Sequence, residues 1–135
     1  MNLNQKIAIV TGGASGFGAA IAQRMALAGA SVMVADLNAE GAQRIAESIR
    51  AAGGQASSVV ADVSDRASFE NMVASTRKDL GGLDILVNNA GTTHRNKPAL
   101  QVTEEEFDRV YKVNVKSPEG QTLANSEFQK LVILK

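Results

Sequence analysis

The stretch TGGASGFG, residues 11–18, decides how the rest of the chain is interpreted. It follows the apolar run KIAIV and precedes a segment whose apolar residues recur at helical spacing: Phe17, Ala20, Ile21, Met25, Leu27 and Ala28. Gly12, Gly16 and Gly18 omit side chains where a backbone turns tightly or approaches a ligand, and Ser15 and Phe17 between them are further candidate contacts. A helix that begins at such a turn points N–H groups and its positive dipole end at an anion. The stretch predicts either a pyrophosphate-binding strand–turn–helix unit or a tight turn without a ligand.

Strand-like and helical segments alternate four times along the chain. The first and second strand-like runs are typical of strands buried on both faces of a parallel sheet, and the fourth is the most apolar. Thr103 and Glu106 predict a capping box. The alternation predicts an α/β fold with right-handed βαβ crossovers and helices on both faces of the sheet. The predicted strands are residues 6–12, 30–36, 56–63 and 83–91, and the predicted helices are residues 15–29, 38–52 and 65–80, with Asp65 inside the first turn, and a fourth that begins at residue 103.

The composition narrows the function classes. A chain of 135 residues fits a single domain over residues 1–135. Its formal net charge of zero, without a basic block, argues against nucleic-acid or anionic-membrane binding. With no cysteine and one histidine, it offers no metal-ligand cluster. No apolar run approaches the ~18 residues of a membrane span, and the N-terminus lacks the features of a signal peptide, so we expect a cytoplasmic protein.

An acidic residue, Asp36, ends the second predicted strand. At this place in a βαβ unit, a carboxylate accepts hydrogen bonds from the ribose hydroxyls of a dinucleotide and repels a 2′-phosphate. The nearby positions Ala14, Leu37 and Asn38 supply no cation for such a phosphate. The sequence therefore favours NAD over NADP, with Leu37 as a neighbouring contact. The alternative is that Asp36 only caps the helix that begins in DLNAE.

Four motifs make the sequence resemble the short-chain dehydrogenase/reductase family. TGGASGFG is similar to the family's T-G-x3-G-x-G turn, and NNAG matches its sheet-stabilising motif. ADV resembles the segment whose Asp and Val touch adenine, and VNV matches the segment with the catalytic Asn. The resemblance covers residues 1 to about 118 and is greatest to bacterial glucose dehydrogenase and 3-oxoacyl-carrier-protein reductase types. It implies the N-terminal part of a Rossmann-type doubly wound parallel sheet, with Asp62, Val63, Asn89, Ala90 and Gly91 at the cofactor and Asn114 in catalysis.

The resemblance also implies an activity. Members of the family are NAD(P)-dependent oxidoreductases in which the nicotinamide carries a hydride to or from an alcohol or ketone. A Tyr acts as acid or base, a Lys four residues later lowers the pKa of that Tyr, a Ser steadies the substrate oxygen, and the Asn holds a water in a proton relay. The implied partners are a nicotinamide dinucleotide and a small alcohol or ketone, and we expect a homo-oligomer.

The sequence departs from the family where this chemistry is expected. The family's Ser and Tyr-x3-Lys lie well beyond the catalytic Asn, whereas this sequence ends at Lys135. Its one tyrosine, Tyr111, precedes Asn114, and Val115 stands where a Lys would be needed. Tyr111 is therefore interpreted as an ordinary helix residue. Two hypotheses follow: an oxidoreductase whose sequence is incomplete here, and a truncated, catalytically inactive dinucleotide-binding fragment.

Two further segments leave alternatives open. His94 and Arg95 follow NNAG in a loop at the carboxyl ends of the strands, where such sheets bind ligands. They either contact the substrate or are solvated loop residues. The resemblance carried by these motifs ends near residue 118, and residues 119–135 are left unassigned. Within them, KLVILK at residues 130–135 is long enough for a strand, which predicts a fifth strand beside the fourth. A helical or frayed terminus is the alternative.

Overall fold

The computed structural model describes residues 1–91, 101, 103–106 and 108–109. Within these residues, strands and helices alternate in the predicted order, and residues 104–106 and 108–109 are also helical. The elements are β1 Ile7–Thr11, α1 Gly16–Leu27, β2 Ser31–Asp36, α2 Ala39–Ala51, β3 Gln55–Val60, α3 Arg66–Leu80 and β4 Ile85–Val87.

The described strands form one parallel sheet in the order β3-β2-β1-β4. At its centre, Ile9 of β1 lies opposite Met33 of β2 and Leu86 of β4. The chain first adds strands on one side of β1 and then crosses to the other side for β4. Such a change of direction opens a crevice at the carboxyl ends of the strands that flank it, here β1 and β4. The arrangement is the predicted Rossmann-like fold.

Helices cover both faces of the sheet, as the sequence predicts. Ala8 and Val10 of β1 pack with α1 and α2, whereas Ile9 packs with α3, because successive side chains of a strand point to opposite faces. Ala46 of α2 is fully buried, and its small side chain lets the helix lie close to the sheet. Met72 of α3, also fully buried, fills the opposite face. The apolar runs of the sequence are thus strands covered from both sides.

Side-chain caps fix where two of the helices begin. Asn38 caps α2, since its Oδ1 accepts a hydrogen bond from the Gly41 N–H at 3.0 Å. Asp65 caps α3, since its Oδ2 accepts from the Ser68 N–H at 2.8 Å. The prediction that Asp65 lies inside the first turn is therefore wrong by one position. Its extended backbone places it just before the helix, where a short carboxylate reaches an otherwise unpaired amide.

The capping box predicted at the fourth helical segment is confirmed. The Thr103 N–H donates to the Glu106 carboxylate at 2.9 Å, and the Glu106 N–H donates to Thr103 Oγ1 at 3.2 Å. These reciprocal bonds satisfy two backbone donors where the helical residues begin.

Asp65→Ala is expected to lower the free energy of unfolding by about 1 kcal/mol, because the Ser68 N–H loses its acceptor. Asp65→Asn is the matched control, since an amide oxygen caps a helix nearly as well. Chemical denaturation followed by circular dichroism compares both variants with the parent. Equal losses in the two variants would assign the effect to the charge and contradict the hydrogen-bond explanation.

The fourth predicted strand is longer than the observed one, since only the three residues of β4 pair with β1. At its start, the Asp84 carboxylate accepts the Ile7 N–H at 2.9 Å, so a side chain takes the place of a ladder bond. At its end, the Asn89 N–H donates back to the Val87 carbonyl at 3.1 Å, which turns the chain out of the sheet. Polar side chains at both ends therefore stop the pairing of β4 with β1 earlier than the apolar pattern of the sequence predicts.

The apolar spacing predicted for α1 does not describe its buried face. Phe17 and Leu27 are 86% and 73% exposed and lie away from the core. Among the residues of the helix, the buried ones are mostly small, which brings its backbone close to the sheet: Gly18, Ala19, Ala22 and Met25.

Several predictions fall on residues outside the described part of the chain. They concern Asn114, Tyr111, His94, Arg95 and the run at residues 130–135, and they stay predictions. The helices found in the described residues are all too short or too polar to cross a membrane.

Candidate functional site

Gly12 and Gly18 of the stretch TGGASGFG are among the glycines that packing inside the protein requires. A Cβ on Gly12, which has a φ of +65°, would lie 2.9 Å from both the Ala90 Cα and the Asn89 Nδ2. A Cβ on Gly18 would collide with the Gly12 carbonyl oxygen. The helix therefore begins in direct contact with the turn that precedes it, and the turn contacts the segment after β4. No larger residue fits either position without movement of the backbone.

The third glycine of the turn faces open space. Gly16 has a φ of +54°, and a Cβ built on it meets nothing within 4 Å. Ser15 is the N-cap residue of α1, but its side chain makes no capping hydrogen bond, and the first turn holds no acidic residue. An open glycine surface at a helix N-terminus without a competing carboxylate suits an anion. These residues therefore fit a pyrophosphate group.

A buried threonine joins the carboxyl ends of β1 and β4. Thr11 is 1% exposed, and its hydroxyl donates to the Val87 carbonyl at 3.1 Å. The same oxygen accepts from the Asn89 N–H at 3.1 Å and from the Ala90 N–H at 3.0 Å. In return, Asn89 Nδ2 donates to the carbonyls of Thr11 and Gly12, at 3.1 and 3.2 Å. These bonds fix the glycine turn to the NNAG segment.

Asp36 links the glycine turn to the end of β2. Its Oδ2 accepts from the Ala14 N–H at 3.0 Å, and its Oδ1 accepts from the Asn38 N–H at 2.9 Å. Asn38, and not Asp36, caps α2, so the alternative interpretation of Asp36 as the helix cap is wrong. The Asp36 carboxylate instead accepts the N–H two residues later, in a turn that precedes the helix. It lies at the rim of a cavity and is only partly buried there.

A cavity of about 500 Å³ opens at this end of the sheet. It lies beside the glycine turn, Asp36 and the loop that follows β3. Its lining comes from all four strand ends and from the fourth helical segment: Gly12, Asp36, Leu37, Ala61, Asp62, Val63, Ser64, Ala90, Gly91 and Arg109.

The loop after β3 is held by hydrogen bonds around one carboxylate. Asp62 Oδ1 accepts from the N–H and from the hydroxyl of Ser64, at 2.9 and 2.6 Å. The Asp62 N–H donates to Ser68 Oγ at 2.8 Å, which joins the loop to the first turn of α3. The backbone of Asp62 and Val63 is thus held at the wall of the cavity.

The structure brings most of the predicted cofactor residues to this region. Seven of the predicted residues line the cavity. Ser15, Gly16, Phe17 and Gly18 form the adjoining turn, and Asn89 anchors that turn from behind. Three lining residues, Ala61, Ser64 and Arg109, escaped the sequence analysis. The position of Ser64 could have been predicted from the sequence, because an aspartate side chain often accepts the backbone N–H two residues later. Arg109 reaches the cavity by tertiary packing that no local pattern shows.

Comparison with known proteins identifies relatives of the chain. Residues 6–124 match the sequence model of the short chain dehydrogenase family. The 4-formylbenzenesulfonate dehydrogenase of Comamonas testosteroni is 67% identical over 117 residues, which make up 87% of this chain and 46% of that protein. The L-2,3-butanediol dehydrogenase of Corynebacterium glutamicum is 44% identical over 112 residues, or 82% of this chain and 43% of that protein.

A solved structure gives the same result. The 3-ketoacyl-(acyl-carrier-protein) reductase from Brucella melitensis, crystallised with NADH, superposes with a TM-score of 0.79 at 43% identity, over 84% of this chain and 46% of that chain. The chain spans about half the length of the relatives it matches. On its sequence and its fold alike, the chain belongs to the short chain dehydrogenase family.

Proposed function

We propose that the cavity binds a nicotinamide dinucleotide and that the protein is an oxidoreductase acting between this cofactor and an alcohol or carbonyl substrate. One observation carries the proposal. A glycine turn that opens a helix is tied on one side to Asp36 and on the other to Asn89, at the crevice of a parallel sheet. Dinucleotides bind at this place in doubly wound folds.

Each part of the site suits one part of the cofactor. The open surface at Gly16 and the N-terminus of α1 would hold the pyrophosphate. Asp36 would accept from the ribose hydroxyls, and Asp62 and Val63 would line the adenine side, as the family resemblance implies. The nicotinamide, when bound, supplies the hydride chemistry. Asn114 is proposed to hold a water for proton transfer.

A binding assay and a turnover assay together test this proposal. Calorimetric titration with NAD measures binding, and NADH oxidation with a panel of ketones and aldehydes measures turnover. The panel includes 4-formylbenzenesulfonate, because a relative named for that substrate is 67% identical. Saturable NAD binding is expected. A chain that folds but binds no NAD would contradict the proposal.

The second candidate is dinucleotide binding without catalysis. It rests on the sequence, in which the one tyrosine, Tyr111, is followed four positions later by Val115 instead of a lysine. A polypeptide limited to residues 1–135 would lack the acid and base of the proton transfer that accompanies hydride transfer. Binding without turnover, in protein free of host reductases, would support this candidate, whereas sustained turnover would exclude it.

We also propose that residues 1–135 form a single domain that assembles as a homo-oligomer in the cytoplasm. The single continuous sheet supports the first statement. Light scattering coupled to size-exclusion chromatography measures the assembly directly, and a monomer at micromolar concentration would contradict it.

We expect the chain to bind NAD more tightly than NADP, by roughly 10- to 100-fold. A 2′-phosphate would approach the Asp36 carboxylate, and such a like-charge contact in a partly desolvated site costs on the order of 1–3 kcal/mol. Calorimetric titration with both cofactors at one ionic strength measures the ratio. Tighter binding of NADP would contradict this prediction.

A further inference from the structure

The outer edge of β3 presents backbone groups that point away from the rest of the sheet. Among the described residues, β3 is the outermost strand and pairs only with β2. The Ala61 N–H, directly after β3, donates to the Asp36 carbonyl of β2 at 3.0 Å. Because the N–H and C=O groups of successive strand residues point to opposite sides, those of Ala56, Ser58 and Val60 point away from β2. Such an edge is a template for pairing with another strand.

Arg50, in the last turn of α2, occupies one end of this edge. Its Nη1 donates to the Ala56 carbonyl at 2.7 Å. The chain reverses between these two residues, where Gly53 has a φ of +87° and the Gly54 N–H donates to the Ile49 carbonyl at 3.0 Å. The guanidinium therefore lies where an arriving strand would place the N–H that bonds to Ala56.

The strand itself carries none of the usual protection of an edge. Its sequence, QASSVV, contains no charged residue and no proline, which natural edge strands commonly use against pairing. Val60, near its end, is 53% exposed. The charge at this edge is supplied from the neighbouring helix, by the side chain of Arg50.

We propose that the edge of β3 is a pairing surface for a second copy of this chain and that Arg50 keeps the surface closed. In an antiparallel pair with a two-fold axis at Ser58, Ser58 lies opposite its own copy and Ala56 lies opposite Val60 of the other chain. This register joins outward-facing groups to outward-facing groups along the whole edge. The uncharged sequence of β3 adds no repulsion between the two copies.

The two-fold axis explains why one arginine in each chain is sufficient. A symmetric pair repeats every contact, so the Arg50 side chains of the two chains block both ends of the ribbon. Pairing at either end requires removal of a guanidinium from the Ala56 carbonyl, and hydrogen bonds from a charged donor are the stronger ones. Only the central bonds at Ser58 remain, and these alone do not offset the freedom lost on association.

Arg50→Ala tests the proposal, because it removes the guanidinium while alanine favours the helix of α2. Arg44→Ala is the matched control, since it removes the same charge from an exposed position of the same helix. Sedimentation velocity over a concentration series measures self-association of the 135-residue chain. We expect the dissociation constant of Arg50→Ala to fall at least roughly 10-fold below the values of the parent and of Arg44→Ala, because both ends of the ribbon become available.

Hydrogen exchange followed by NMR locates the contact. This second readout is needed because the chain is also proposed to assemble through other surfaces. In the parent, the outward-facing amides of Ser58 and Val60 should exchange rapidly at every concentration, whereas the Val59 amide, which faces β2, should be protected. In Arg50→Ala, the Ser58 and Val60 amides should become protected as the concentration rises.

Ser58→Pro, added to Arg50→Ala, should restore the association of the parent. Proline removes an outward-facing N–H that the ladder with β2 does not use, and edge strands accept proline at such positions. If Arg50→Ala does not fold, Arg50→Met replaces it, since methionine keeps the aliphatic stem of the side chain without the cation.

The results that decide the proposal do not depend on dinucleotide binding. Stronger association of Arg50→Ala than of Arg44→Ala, with protection of the Ser58 and Val60 amides and reversal by proline, would establish that Arg50 closes the edge of β3. Equal association of the two alanine variants would overturn the proposal. So would association that leaves these amides unprotected or that persists in the proline variant, because the contact would then lie on another surface.

Discussion

Gly16→Val is expected to weaken dinucleotide binding by at least roughly 100-fold while the fold persists. Nothing in the described structure lies within 4 Å of a Cβ at this position, so the side chain displaces no protein atom. It would instead occupy the space that we assign to the pyrophosphate, where close approach of the backbone is needed. A branched side chain at a φ of +54° also costs about 1–3 kcal/mol of stability.

Gly81→Val is the matched control for that strain. Gly81 has a φ of +93°, ends α3, and also has nothing within 4 Å of its Cβ position. It precedes β4, at the opposite end of the sheet from the cavity. We expect both variants to lose similar stability in thermal melts and only Gly16→Val to lose NAD binding in calorimetry. If Gly16→Val binds NAD as well as the parent, the phosphate-binding interpretation of the turn is wrong.

The framework of the fold was accessible from the sequence because its signals are local. The helices end at or just before glycines with positive φ: Gly29, Gly53 and Gly81. Because only glycine adopts such angles without strain, these stops are visible in the sequence. The apolar runs of β1, β2 and β4 favour strands buried on both faces, whereas β3 is only partly buried. Order, type and parallel pairing therefore follow from residues that are neighbours in the chain.

Roles inside the site were less accessible, because they depend on contacts between distant residues. The sequence treats Gly12, Gly16 and Gly18 as equivalent, yet two of them make room for the protein and one faces open space. At Gly12 that difference arises because Asn89, 77 residues away, and Ala90 lie against the turn. The bond between Asp36 and the Ala14 amide, 22 residues apart, is equally invisible to a local pattern.

The length of β4 also depends on contacts that the sequence does not reveal. The apolar run LDILVNNAG extends the predicted strand in both directions. Only tertiary structure reveals that Asp84 bonds to Ile7 and that Asn89 is held by Thr11. Polar side chains beside an apolar run thus mark where a strand stops pairing. They can be interpreted in this way only when their partners on the neighbouring strand are known.

Thr11→Val is expected to lower the free energy of unfolding by about 1–3 kcal/mol. Valine has nearly the shape of threonine, so packing is kept while the hydroxyl is lost. The Thr11 hydroxyl serves three backbone groups: it donates to the Val87 carbonyl and accepts from the N–H groups of Asn89 and Ala90. The Asn89 N–H and the Val87 carbonyl also bond to each other at 3.1 Å and keep that bond in the variant. The Ala90 N–H loses its acceptor, and a buried polar group without a partner costs about 1–3 kcal/mol.

Thr11→Ser separates the hydrogen bonds from the packing. Serine keeps the hydroxyl and removes one buried methyl group, which costs about 1 kcal/mol. Denaturant unfolding of the parent and both variants measures the difference, and NAD titration follows the site. Because the same bonds hold the glycine turn against Asn89, the valine variant should lose NAD affinity as well as stability, whereas the serine variant should keep its affinity. A valine variant as stable as the serine variant would show that the hydroxyl bonds contribute little, and that the turn is held at β4 by the Asn89 side chain alone.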